Sequence, residues 1–371
     1  MTGCFGWTSL LSDSARDLAQ GIGRGYIEAR AAMRPRLHSA IALLLSLVLA
    51  VWTFHSSPDG SPSFAHLLLR AALFSRSAPR MAEEAPAYLT PPPLFADGGL
   101  DRPWRVGIQA GHWQIDQLPP ELARLRTDTG ASYGSLQEVD VNLGIARRVA
   151  YDLALAGVTV DLLPATVPPG YQADAFVAIH ADGGGARERG FKVSAPWRAS
   201  EASRRLRDDI QQAYGELSGI PMDRYGVTYN MRGYYSFSWF RFEHAVAPAT
   251  PSAIVETGYL TNKEDRRVIV EDPETPARAL AAGIILYLSE RARLKPDALV
   301  ARAYAPMIVA SDQAALRVFP DAAERIAAVL PSGTIVRPTL VENGWVELIV
   351  WGNFRVFGWM RQADLQAAAG G

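Results

Sequence analysis

Cysteine is almost missing from these 371 residues: the chain has one, Cys4. A disulfide framework and a cysteine-rich metal site are both excluded. A basic excess is missing as well. Lys and Arg number 37 against 38 Asp and Glu, a formal net charge of -1, and charged residues make up 20%. Nucleic acid is therefore not expected as a partner, because binding it normally demands a basic surplus. Histidine is scarce. Of the six, His38, His55 and His66 lie in or beside an N-terminal apolar segment, which leaves His112, His180 and His244 for the remainder. Any metal must be held by these imidazoles and by carboxylates. Neither His-Glu-x-x-His nor His-x-x-Glu occurs, and this disfavours the common metallopeptidases.

What is present is apolar: 49% of the residues are hydrophobic, enough for a large core and more than one domain. Ser39 to Phe54 is an unbroken apolar run, preceded by Arg24, Arg30, Arg34 and Arg36. Basic residues on that flank alone favour an N-inside orientation, with everything that follows outside the cytoplasm. Residues 38–56 are thus expected to be a signal anchor or transmembrane segment that tethers the chain to a membrane, uncleaved because no small-x-small site follows Phe54. Residues 1–37 read as a cytoplasmic tail, with Cys4 reduced or lipid-modified, or as a mis-assigned start, translation then beginning at Met33. Residues 57–100, rich in Pro, Ser and Ala, read as a linker.

Regular structure is expected from Trp104. Val106–Ala110 reads as a strand and Glu138–Ala156 as a helix, with Leu143, Ile145, Ala146, Val149, Leu153 and Leu155 as its apolar positions. Strands follow at 158–163, 175–179, 190–195 and 253–255, with helices near 200–216 and 276–292. The alternation predicts an α/β domain over 101–294, a mixed twisted sheet flanked by helices. Beyond Lys295 short strands separated by turn residues predict a small β-barrel over 302–367.

Ligands and catalytic groups gather at the carboxyl ends of strands in an open α/β sheet. His112, His180 and Glu256 each follow a predicted strand directly, and Glu138 opens a predicted helix. An open zinc site wants three N or O ligands and one water. His112, Glu138 and His180 can supply the ligands, and Glu256 is then free to act as a base.

These residues carry a family resemblance. Gly111-His112, Glu138 with Asn142, Ala178-Ile179-His180-Ala181, and Val255-Glu256-Thr257-Gly258-Tyr259-Leu260-Thr261-Asn262 resemble, in order and context, the type-3 family of zinc N-acetylmuramoyl-L-alanine amidases. The resemblance spans nearly all of 104–292. It implies one zinc ion on His112, Glu138 and His180, Glu256 as the catalytic carboxylate, and peptidoglycan as substrate. The chain departs from the family pattern at Trp113-Gln114, where Gly-Gly is usual, at Asp182, where Asn is common, and at Pro164–Pro168. Over 302–367, Leu316–Pro320, Gly333-Thr334, Gly344-Trp345-Val346 and Gly358-Trp359-Met360 resemble bacterial Src-homology-3-like barrels, which implies wall targeting.

Weaker signals are weighed beside these. Trp113, Asp182 and His244 are candidate substrate-binding residues. Tyr234 to Phe240 is read as core or cleft wall. Gly130-Ala131-Ser132-Tyr133-Gly134 matches the G-x-S-x-G nucleophile pattern, but a polar stretch precedes it where an apolar strand is required. The expected activity is hydrolysis of the amide between N-acetylmuramic acid and L-alanine. A zinc peptidase acting on the stem peptide and a non-catalytic envelope-binding protein are the alternatives.

Overall fold

The structure, a computed structural model, describes residues 102–368, all within one compact unit. The tail, anchor and linker expectations lie outside these residues. Among the described residues no helix is long and apolar enough to cross a membrane.

The first part is a five-stranded sheet in the order β4-β1-β5-β7-β6. Its strands are β1 (Arg105–Ala110), β4 (Thr159–Leu163), β5 (Ala175–Asp182), β6 (Lys192–Ser194) and β7 (Ser252–Tyr259). β1 pairs parallel with β4 and β5, and β5 with β7, whereas β6 joins β7 antiparallel. The sheet is mixed, as the sequence predicts. β5, Ala-Phe-Val-Ala-Ile-His-Ala-Asp, is buried along seven of its eight residues. Such an uninterrupted apolar run suits a central strand covered on both faces.

Helices α1 (Glu138–Leu155), α2 (Glu201–Leu217) and α5 (Glu274–Arg291) cover the sheet, and α5 packs on both others. Two short helices, α3 (Tyr229–Arg232) and α4 (Lys263–Ile269), flank β7 in sequence. α1 turns Val141, Ile145, Ala146, Val149 and Leu153 inward. Leu155, placed on this face from the sequence, is 55% exposed. It lies two positions past Leu153, about 200° around the helix, and so points to solvent. α5 is buried nearly all round because it is wedged between sheet and helices.

Between β1 and α1, a two-stranded ribbon pairs β2 (Ser132–Tyr133) with β3 (Leu136–Gln137). Ser132 is exposed in this ribbon, with no apolar strand leading into it. The G-x-S-x-G match therefore builds no nucleophile elbow.

The second part is a curled antiparallel sheet of seven strands, among them β8 (Met307–Val309), β9 (Ala314–Arg317), β10 (Ile326–Leu330), β13 (Asn353–Arg361) and β14 (Leu365–Ala367), in the order β10-β9-β13-β12-β11-β8-β14. β11 (Ile335–Glu342) and β12 (Trp345–Val350) meet at Asn343-Gly344, both with positive φ. That is the pair a tight two-residue hairpin demands. Val309, Leu316, Val336, Val346, Leu348 and Met360 form a core separate from that of the α/β part.

Candidate metal centre

Three of the sequence-selected residues converge. His112 follows β1, His180 sits near the end of β5, and Glu138 begins α1; their ligand atoms all lie within 4.8 Å of one another. His112 Nε2 is 3.4 Å and His180 Nδ1 2.9 Å from Glu138 Oε1. The two rings meet edge to face with centroids 5.0 Å apart. Glu138 and His180 are buried and His112 is half-buried.

Local structure fixes each donor. The backbone N–H of Gly111 donates to the Ile179 carbonyl at 2.9 Å, so β1 and β5 stay locked up to the site. A Cβ on Gly111 would come within 2.3 Å of the His180 ring, and only glycine leaves the imidazole its place. His112 then takes φ 63°, a left-handed conformation uncommon for a residue with a side chain. Such strain persists where the surroundings over-determine it, typically at functional sites. The ring is oriented by a 2.7 Å contact from Nδ1 to the Asp128 carbonyl. This leaves Nε2 for the site, the outer-shell arrangement common to metal-binding histidines.

Glu138 is held by a reciprocal pair. Its backbone N–H donates to the Ala131 carbonyl at 2.9 Å, and the Ala131 N–H donates to its Oε2 at 2.6 Å. Asn142, one turn along α1, donates to both Glu138 Oε1 and the Gly111 carbonyl. A Cβ at Gly130 would lie 2.4 Å from Glu138 Oε2, so the loop can press this close only with glycine there.

The electrostatics are those of a cation site. Burial opposes ionisation of Glu138, yet hydrogen bonds from His112 and His180 outweigh it and hold the carboxyl far below the usual carboxylate range. Burial likewise resists charge on His112, but the hydrogen bond and charge of Glu138 prevail and lift it to about 9. A buried carboxylate between two imidazoles is thus satisfied by protons where a divalent cation would satisfy it as well.

Glu256 stands beside this cluster. On β7 it is the register partner of His180 on one side and Lys192 on the other. Among the described residues its carboxylate takes no hydrogen bond. The protein packed around it pushes its carboxyl up to about 7; His180 and Lys192 oppose the rise, while Glu138 and Asp182 add to it.

The three candidate substrate residues are placed apart. Asp182, two residues beyond His180, pairs with Lys192 Nζ. Trp113 packs partly buried against the main core. His244 lies against Glu121, accepting no place among the ligand donors; its Nδ1 is 2.8 Å from the Glu121 carboxylate. A cleft of about 320 Å³ opens over the cluster, lined by His112, His180, Arg124, Asn230, Tyr234 and Tyr235. The aromatic run thus divides: Tyr234 and Tyr235 wall the cleft, Phe237 is core, and Trp239 and Phe240 are exposed.

Sequence reasoning missed two buried polar residues here. Gln109, fully buried on β1, reaches Tyr234. Lys192 is 2% exposed in a strand of apolar neighbours. A lysine inside an apolar run was the available signal, since lysine is almost never buried without a partner.

Residues 106–285 match the family model described as N-acetylmuramoyl-L-alanine amidase. No curated protein matches the chain. Among solved structures the chain is similar to the N-acetylmuramoyl-L-alanine amidase AmiC2 of Nostoc punctiforme, at 24% identity and a TM-score of 0.36, covering 50% of this chain and 97% of that one. It is similar to the amidase Ami1 from Mycobacterium smegmatis at 22% identity and a TM-score of 0.37, with coverage of 50% and 97%. An amidase from Clostridium difficile 630 gives 17% identity and a TM-score of 0.36, again with 50% and 97% covered. Residues 106–285 therefore carry a match to the N-acetylmuramoyl-L-alanine amidases, and the chain is an enzyme of that class.

Proposed function

We propose that the chain cleaves the amide between the lactyl group of N-acetylmuramic acid and the L-alanine of the peptidoglycan stem, with one zinc ion held by His112, Glu138 and His180. The observation that carries this reading is the convergence of two imidazoles and one carboxylate within 4.8 Å at the mouth of a cleft, with a second carboxylate beside them. The donor set fits zinc, which binds histidine and carboxylate in open three-ligand sites. Zinc in such a site supplies Lewis acidity and makes water nucleophilic near neutral pH.

The remaining work falls to the chain. Glu256, which takes no hydrogen bond among the described residues and is poised near neutrality, takes the proton from the attacking water at its carboxylate. The same carboxyl returns that proton to the departing alanine nitrogen. Asn142 holds the Glu138 carboxylate that lies against both imidazoles, and the walls formed by Tyr234 and Tyr235 seat the substrate.

Peptidoglycan as substrate implies a site of action outside the cytoplasm, and residues 38–56 are proposed as the tether to the membrane. The C-terminal sheet is proposed as an Src-homology-3-like module that holds the wall. Digestion of purified sacculi tests the reading: an amidase releases peptides that begin with free L-alanine. Peptides cut within the stem would instead make the chain a zinc peptidase. Chelation should abolish the activity and zinc should restore it.

A further inference from the structure

Tyr234 stands between His180 and Gln109, and the hydrogen-bond directions around it are determined. The amide nitrogen of Gln109 lies 2.9 Å from the Ala165 carbonyl and 3.2 Å from the Pro164 carbonyl. Both are acceptors, so the nitrogen must face them and Oε1 must face Tyr234, 3.0 Å away. Oε1 only accepts, and the single hydroxyl proton of Tyr234 therefore goes to it. The neighbouring Tyr235 hydroxyl directs its own proton to the Ala165 carbonyl at 2.5 Å. The Tyr234 oxygen also lies 3.2 Å from the Tyr235 oxygen, a second acceptor for its proton, and 3.1 Å from His180 Nε2. With its proton committed, Tyr234 can only accept there, so Nε2 carries the proton and donates it. Nδ1, facing Glu138 Oε1 at 2.9 Å, is then the nitrogen whose proton a metal would replace.

Tyr234 is in turn held by the C-terminal sheet. Two residues before it, Arg232 pairs through both terminal nitrogens with Glu347 of β12; the Nη2–Oε2 distance is 2.7 Å. Glu347 is buried, and Thr339 of β11 donates to its Oε2 at 2.7 Å. The Arg232 guanidinium lies 4.1 Å over the ring of Trp197, whose backbone N–H donates to the Arg232 carbonyl at 3.0 Å. Trp197 packs edge-on against Phe357 of β13 (Asn353–Arg361), 5.1 Å between centroids. A buried charge deprived of its partner must move toward water, and the chain moves with it.

We infer that Tyr234, oriented by Gln109, is a positioning residue that holds His180 in its Nε2–H tautomer, and that the C-terminal sheet keeps Tyr234 in place through Glu347. The C-terminal sheet is by this inference a buttress of the metal centre in addition to any hold on the wall. It rests on the reading of His180 as a metal ligand.

The test uses the full chain and zinc alone, titrated against a chromophoric chelator. Tyr234→Phe should weaken zinc binding by about 10–100-fold, the usual effect of losing an outer-shell partner. Glu347→Gln should weaken it in the same direction by less. The double variant should bind as Tyr234→Phe does, because both changes act through one contact. Nitrogen-15 spectra of histidine-labelled, zinc-loaded wild type should show the His180 proton on Nε2. That measurement needs no variant to fold. A proton on Nδ1, or Tyr234→Phe binding zinc as wild type does, overturns the inference and leaves the ligand set standing. Glu347→Gln with unaltered zinc affinity overturns the part assigned to the sheet. A wild type without zinc affinity overturns the ligand set itself.

Discussion

His180 and Glu256 are register partners across β5 and β7, so the second imidazole and the free carboxylate ride on the same hydrogen-bonded ladder. Strand spacing is set by backbone geometry at about 5 Å. The separation of ligand from base is therefore built into the sheet and needs no loop to maintain it. Thr257, the next residue along β7, donates to the His180 carbonyl at 2.9 Å and ties the pair again.

Substitution should separate their roles. Glu256→Gln is expected to keep zinc while losing about 10²–10⁴-fold in rate, the usual contribution of a positioned acid or base. His180→Ala is expected to lose the metal. Zinc content by atomic emission, read beside turnover of a muropeptide, checks both. Equal zinc in the two proteins would show that the division into ligand and base is mistaken.

The acid limb of the pH profile should belong to Glu256. Its carboxyl is raised to about 7. Below that pH it is protonated and cannot take a proton from water, so kcat/KM should fall about tenfold per pH unit. Above it the limb should level off. Activity measured from pH 5 to 8 decides the matter, and a profile flat through neutrality removes Glu256 as the base.

Stability should carry a pH signature from a residue far from the site. Asp209, on α2, is buried, and its Oδ2 has no hydrogen-bond partner among the described residues. Burial raises its carboxyl to about 7; Glu290 and Asp208 add to the rise and Arg205 opposes it. The folded state thus holds this proton more tightly than the unfolded chain, whose aspartate titrates near ~3.9. The stabilisation is complete below that value and is lost as pH climbs toward 7, by at most about 4 kcal/mol. Asp209→Asn, neutral throughout, should flatten this dependence and stabilise the protein by about 2 kcal/mol at pH 8. Denaturant melts at pH 5 and pH 8 measure it, and a variant equally or less stable at pH 8 refutes the assignment.

The sequence by itself determined the elements and the ligands. Apolar periodicity marks α1 and α2, and the unbroken apolar run marks β5, because each pattern mirrors how many faces of an element are covered. His112 and Glu138 were legible because each stands at an element boundary, and His180 and Glu256 because each is a polar residue breaking an apolar strand where few histidines compete; the structure carries both strands past them, to Asp182 and Tyr259. Only the tertiary structure decided what surrounds them. Gln109 and Tyr234 are 125 residues apart and meet only in the folded chain, where the Tyr234 hydroxyl reaches Gln109 Oε1 on β1. Arg232 and Glu347, 115 residues apart, form one buried pair across two separate cores. Local propensity and periodicity describe neighbours within about one or two turns of chain. Hydrogen-bond direction and buried charge pairing depend on partners that the chain brings together only when it has folded.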